Sequence, residues 1–207
     1  MTTRVKVCGI TRAEDALAAA RSGVDAVGFV FYPPSPRYVA PQGAHEIAAT
    51  IPPFVSTVGL FVDADVAMVA AALRTIRLDY LQFHGAESPE FCAQFGVPFL
   101  KAVRVKPGVD LLQYATTFAA AKALLLDAFV EGVHGGTGQG FDWRLIPSNM
   151  PIPVILSGGL APGNVAEAVR TVRPWAVDVS SGVEAEKGIK DADKIEQFMR
   201  GVRNADV

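Results

Sequence analysis

The sequence predicts an α/β chain, a single-domain (β/α)8 TIM barrel of parallel strands spanning residues 1–207. Three observations predict it. About eight short apolar runs alternate with helix-like stretches, with no linker or shift of composition between them. The runs are continuously apolar rather than half polar, as in strands buried on both faces of a parallel sheet. Glycine-containing loops follow the last three runs, where such barrels commonly bind phosphate. The alternative architecture is an open doubly wound sheet, which usually has fewer strands.

The elements follow in order. Val5–Cys8 is the first strand, with Val5 and Val7 on one face and Lys6 and Cys8 on the other. Gly9-Ile10-Thr11 turns the chain into an alanine-rich helix over Ala13–Ser22. Glu14 and Asp15 suit its first turn, and Gly23 stops it. Ala26–Phe31 is the second strand, the proline-rich loop Pro33–Arg37 is stiff, and Pro41–Ile51 is the second helix with proline near its start. Strands at Ser56–Phe61 and Tyr80–Phe83 flank a helix at Ala64–Arg74. A helix at Ser88–Phe95 opens on Ser88-Pro89. Phe99–Val103 is the fifth strand, and Asp110–Phe118 reads as the next helix. Ala123–Asp127 is the sixth strand, and a short helix follows Asp142. Val154–Ser157 and Ala176–Ser180 are the last two strands. They are followed by helices at Asn164–Val172, capped by Asn164, and at Asp191–Val202.

Composition bounds the function. The chain has 207 residues, is 50% hydrophobic and 19% charged, and has a net charge of −2. That is ample for a core and gives no global electrostatic case for nucleic acid or an anionic membrane. Its two cysteines form no disulfide framework, and three scattered histidines have no metal-ligand spacing. The N-terminus lacks the apolar core of a signal peptide, and no run approaches the roughly 18 residues of a membrane span. The expectation is a soluble cytoplasmic protein acting on a small molecule, a monomer with a dimer as the alternative.

Barrel chemistry sits at the C-terminal strand ends. Those ends carry Cys8, His84, Asp127, Gly158-Gly159 and Ser180-Ser181-Gly182, with Arg37 in the loop after the second strand. Cys8 can be a nucleophile, a general base or a buried small residue. Lys6 shares its face and, buried, needs a counter-charge; Asp178 on the neighbouring eighth strand is the expected one, and Lys6 would lower the thiol pKa. Asp127 closes the run Leu124-Leu125-Leu126. Apolar surroundings favour its protonated form, which suits a general acid, and the alternative is a salt bridge to an arginine or lysine. Arg37 has the fork that matches a carboxylate bidentately, or else is a solvated loop charge. His84 is a turn residue or a substrate-binding side chain. The stretch Gly132–Gly140 fits neither a P-loop nor a dinucleotide fingerprint.

These residues lie in motifs that resemble one family in the same order along the chain. KVCGIT at Lys6–Thr11, FVFYPPSPRYV, GLFVD, LQFHG, LLLDAF, GGTGQGFDW, LSGGLAPGNV and DVSSGVE…GIKD resemble the motifs of phosphoribosylanthranilate isomerase. The resemblance implies an Amadori rearrangement of N-(5′-phosphoribosyl)anthranilate to 1-(2-carboxyphenylamino)-1-deoxyribulose 5-phosphate, with no cofactor and no metal. It implies Asp127 as general acid, Cys8 as general base, Arg37 on the anthranilate carboxylate and His84 beside the substrate. The phosphate would be held by backbone N–H groups around Gly136, Gly138, Gly159, Ser181 and Gly182. Two rival readings are a related carbon–carbon lyase of the indole-3-glycerol-phosphate synthase type and a catalytically silent phosphosugar-binding protein. The lyase would be expected to have lysine acids at its strand ends and an N-terminal extension, whereas this chain begins almost at its first strand. A silent protein need not keep Cys8 and Asp127 together.

Overall fold

The computed structural model describes residues 2–128 and 140–205. Eight parallel strands close into a barrel in sequence order, β1 pairing with β8. They are β1 (Arg4–Cys8), β2 (Ala26–Val30), β3 (Ser56–Phe61), β4 (Tyr80–Phe83), β5 (Phe99–Val105), β6 (Ala123–Ala128), β7 (Val154–Leu156) and β8 (Ala176–Val179). Around them run α1 (Ala13–Ser22), α2 (Pro41–Ala48), α3 (Val66–Thr75), α4 (Pro89–Ala93), α5 (Leu111–Thr117), α6 (Val165–Val172) and α7 (Ala192–Ala205). The expected helix after Asp142 is a single 3₁₀ turn, Trp143–Leu145.

Side-chain alternation divides the apolar residues between two cores. Val58, Leu100, Ala102, Ala123, Leu125, Ile155 and Ala176 fill the barrel interior. Leu124, Leu126, Phe29, Phe61, Phe83 and Leu156 point outward and pack under the helices. Leu125 and Asp127 therefore share the inner face of β6, with Asp127 at the top.

Local signals set most helix boundaries. Asp65, Ser88 and Asp110 accept from Met68 N at 2.7 Å, Phe91 N at 3.2 Å and Gln113 N at 3.0 Å, so each satisfies an otherwise orphaned donor. Gly23 ends α1 in the left-handed region, φ 87°, donating to the carbonyls of Ala19 and Ala20. Several elements are shorter than the sequence suggests, β7 and β8 each by their last residue. α2 stops at Ala48, and the Thr50 hydroxyl then bonds the Ile47 carbonyl at 2.7 Å; α4 is one short turn and a half; Phe31 has already left β2.

One element was not legible in the sequence. After β8 a 3₁₀ turn, Ser181–Val183, opens into an antiparallel hairpin of β9 (Glu184–Glu186) and β10 (Ile189–Lys190). It lies over the first two loops of the barrel mouth. Thr11 Oγ1 donates to the Gly188 carbonyl at 2.5 Å, and the Lys190 N–H donates to Asp15 at 3.0 Å.

Candidate active site

The first wall of the site is β1 with its neighbours β2 and β8. Lys6 stands opposite Asp178 in register, and its ammonium lies 2.7 Å from Asp178 Oδ1, both side chains buried. The Ser157 hydroxyl donates to the other Asp178 oxygen at 3.3 Å. Cys8 lies one step above Lys6 on the same inner face, opposite Gly28. A Cβ at Gly28 would stand 2.9 Å from Cys8 Sγ and 3.2 Å from Lys6 Cε. Glycine is needed there so that both side chains can lie inside the barrel.

Burial pushes the Cys8 thiol above its ordinary range. Lys6 and Lys190 pull it down and Asp178 adds to the rise. The expected lowering by Lys6 is present, but desolvation outweighs it, so the net effect favours the thiol over the thiolate. Lys6 itself is raised: burial disfavours its charge, and Asp178 more than restores it.

The opposite wall carries Asp127 on β6 and His84 after β4. Asp127 is 4% exposed, and its Oδ1 accepts the Ala128 N–H at 2.9 Å. His84 Nε2 lies 3.2 Å from Asp127 Oδ2. The angle is not that of a hydrogen bond, and among the described residues Nε2 has no aligned acceptor. Gln82 Nε2 lies 3.2 Å from His84 Nδ1. An amide nitrogen only donates, so Nδ1 accepts and the ring proton sits on Nε2, facing Asp127.

Arg37 is not a solvated loop charge. It is 8% exposed, with Nε 2.7 Å from Glu184 Oε1 and Nη2 2.8 Å from Glu184 Oε2. Its fork is already closed on a protein carboxylate. Three of its five N–H donors are not used by that pair and are what it can offer a ligand. Glu184 also accepts Lys190 Nζ at 2.9 Å. Despite its burial, these partners hold the Glu184 carboxyl below its usual range.

Between the two walls, in barrel order, come the loops after β7 and β8. The side chain of Asn164 does not cap α6. It pins the β7 loop instead, donating to the Gly159 carbonyl at 2.9 Å and accepting from Ala161 N at 2.8 Å. Ser181 and Gly182 open the 3₁₀ turn, where N–H groups have no partner within the turn. A Cβ on Gly182 would collide with the Leu160 carbonyl, so the two loops touch only because this residue is glycine. Gly136 and Gly138, the other expected phosphate donors, lie outside the described residues.

A buried thiol at the end of β1 and a buried carboxyl at the end of β6, with the glycine-containing β7 and β8 loops between them in barrel order, are the equipment expected of one class: a barrel enzyme that moves protons on a small molecule. The family model of N-(5'phosphoribosyl)anthranilate (PRA) isomerase matches residues 5–201, and the chain belongs to that family. The Nitrosospira multiformis N-(5'-phosphoribosyl)anthranilate isomerase is 60% identical over 98% of this chain and 97% of its own. That of Thiobacillus denitrificans is 61% identical over 96% and 97%. Among solved structures, a phosphoribosyl anthranilate isomerase in complex with reduced 1-(o-carboxyphenylamino)-1-deoxyribulose 5-phosphate is 41% identical. It superposes with a TM-score of 0.86 over 98% of this chain and 100% of that one. The Thermus thermophilus enzyme is 37% identical, with a TM-score of 0.89 over 98% and 99%. The chain's activity is that of its family: an aldose–ketose isomerisation of N-(5′-phosphoribosyl)anthranilate in tryptophan biosynthesis.

Proposed function

We propose that Asp127 and Cys8 carry the two proton transfers of this isomerisation, with Arg37 and His84 on the substrate and the β7 and β8 loops on its phosphate. The observation that carries the proposal is spatial. β7 and β8 stand between the strand of Asp127 and the strand of Cys8. A phosphosugar anchored at Gly159, Ser181 and Gly182 therefore hangs with its ring between the two groups, and Gly136 and Gly138 of the sixth loop would complete the anchor.

Asp127 gives its proton to the ribose ring oxygen. The C1′–O bond breaks, the anilino nitrogen supplies its electron pair to C1′, and an open-chain iminium ion forms. Cys8, as thiolate, removes the proton from C2′. The C–H electron pair becomes the C1′–C2′ double bond, and the former C1′–N π pair returns to nitrogen. The resulting enolamine tautomerises to the amino ketone. The buried thiol suits this order. Burial disfavours its ionisation, and the cationic iminium favours the thiolate at the step that needs it. His84 Nε2–H, beside Asp127, is placed to donate to the substrate or to the Asp127 carboxylate after proton transfer. The free donors of Arg37 would take the anthranilate carboxylate.

The chain works as one domain, as a monomer in the cytoplasm, with no cofactor or metal. Among the described residues no helix is long and apolar enough to cross a membrane. The Thermotoga maritima isomerase is described as dimeric, so light scattering at micromolar concentration tests the monomer. The function is tested by growth without tryptophan of a strain lacking the isomerase. The wild-type gene should restore growth, while Cys8→Ser and Asp127→Asn should not. Growth with either variant would remove that residue from its role.

A further inference from the structure

We infer that the buried Glu184–Lys190 pair of the β9–β10 hairpin is a positioning element for the base side of the site, setting the charge around Cys8 and the orientation of Arg37. The inference rests on the assignment of Cys8 as the base.

The geometry leads to it in three steps. Lys190 is 4% exposed and Glu184 9%, and ions so buried persist only when paired. The Lys190 ammonium meets Glu184 Oε1 at 2.9 Å, the Ser180 carbonyl at 3.1 Å and the Ser180 hydroxyl at 3.3 Å. Glu184 in turn takes both prongs of Arg37 and the Gly188 N–H at 3.3 Å.

This cluster lies against Gly9, the residue that follows Cys8. A Cβ on Gly9 would stand 3.1 Å from Ser180 Oγ and 2.5 Å from Arg37 Cδ. Among the described residues, the charges that act on the thiol are Lys6 from β1, Asp178 from β8 and Lys190 from the hairpin, with Arg37 of the second loop acted on by it in turn; Glu184 is the carboxylate that Lys190 and Arg37 share. Asp15 of α1 is paired separately with Arg12, and His84 and Asp127 form the far wall.

Around Cys8 three cations thus meet two carboxylates, all five side chains buried. The surplus positive charge is what a thiolate would neutralise. Lys6 answers to Asp178 and Arg37 to Glu184, which leaves Lys190, sharing Glu184, as the cation least compensated. In agreement, burial holds the Lys190 ammonium below its usual range, although Glu184 and Cys8 raise it. The same carboxylate fixes the Arg37 plane, so one hairpin governs both the base and the residue beside it.

The test uses the opposite charges of the pair. A merely structural role predicts that removing either member loosens the site in the same way. The inference predicts opposite shifts. The reactivity of Cys8 with iodoacetamide is followed from pH 6 to 10 in the intact protein and read on the Cys8 peptide by mass spectrometry. Lys190→Met removes a cation and should move the Cys8 midpoint up. Glu184→Gln removes an anion, leaves the permanently charged Arg37 uncompensated and should move it down. Each shift should be about one unit, a tenfold change in alkylation rate below the midpoint. Lys190→Arg should stay near wild type. The acid limb of the kcat/KM profile should move with the midpoint in each variant. Shifts in the same direction, or no shift in Glu184→Gln, overturn the inference. If Lys190→Met does not fold, Glu184→Gln decides alone. Failure of the base assignment looks different: Cys8→Ser would then retain turnover whatever the alkylation midpoints do.

Discussion

Lys6 and Asp178 are 172 residues apart in sequence and 2.7 Å apart in space, joined by the β1–β8 pairing that closes the barrel. Neither ion is affordable alone inside the barrel, and each is there because the other is. The pair sits one layer below Cys8, so the seam of the fold and the floor of the site are the same contact.

Asp178→Ala should therefore cost about 3–5 kcal/mol of unfolding free energy, because it strands a buried ammonium. The double variant Lys6→Met/Asp178→Leu should recover most of that loss, since apolar side chains replace both charges. Urea denaturation of the wild type and both variants measures it. A double variant no more stable than Asp178→Ala would show that packing, rather than the unpaired charge, sets the penalty.

Removing Arg37 should separate recognition from chemistry. A charge-assisted contact is worth about 1.5–3 kcal/mol, so Arg37→Ala should raise KM roughly ten- to a hundredfold with a smaller effect on kcat. Arg37→Lys should recover only part, because an ammonium cannot both grip Glu184 bidentately and reach a substrate carboxylate. With a substrate analogue lacking the carboxylate, Arg37→Ala should cost much less. An equal penalty on both substrates would leave Arg37 as a partner of Glu184 alone.

How much of this was legible in the sequence depends on where each signal lies. The strand ends that carry Cys8 and Asp127 could be read because β1 and β6 are apolar runs stopped by a polar or glycine residue. Alternation alone put Lys6 on the face of Cys8 and Asp127 on the face of Leu125. Lys6 could be matched to Asp178 because closure of a barrel brings its first and last strands together. The hairpin could not be read. β9 and β10 are three and two residues of mostly polar character, with no alternation long enough to register. Glu184 and Lys190 look like surface charges until the fold buries them against each other and against Arg37, 147 residues before Glu184. Arg37 carries the fork that fits a carboxylate, but the carboxylate it meets in the structure lies at that same distance in sequence. The approach of His84 to Asp127 likewise depends on β4 and β6 flanking β5 on one side of the barrel, which no local pattern encodes.

Cys92 gives a prediction about alkaline pH. Burial in α4 pushes its thiol from 9.0 up to about 12. The folded state thus prefers the neutral thiol over the range in which the unfolded chain ionises. That contribution is complete below pH 9 and is lost as pH rises towards 12, by about 1.4 kcal/mol per unit in between. In urea unfolding under a thiol reductant, the stability advantage of wild type over Cys92→Ala should shrink between pH 9 and pH 11. A gap that stays constant over that range would mean that Cys92 ionises as easily in the folded protein as in the unfolded one.

The central claim is that Cys8 and Asp127 move the two protons. Its most direct measurement is the kcat/KM of purified wild type, Cys8→Ser and Asp127→Asn on N-(5′-phosphoribosyl)anthranilate at neutral pH, with circular dichroism to confirm that all three are folded. A positioned acid or base typically contributes about 10²- to 10⁴-fold, so each variant should fall by at least about a hundredfold while keeping the barrel intact. A folded Cys8→Ser or Asp127→Asn within a few-fold of wild type would contradict the account.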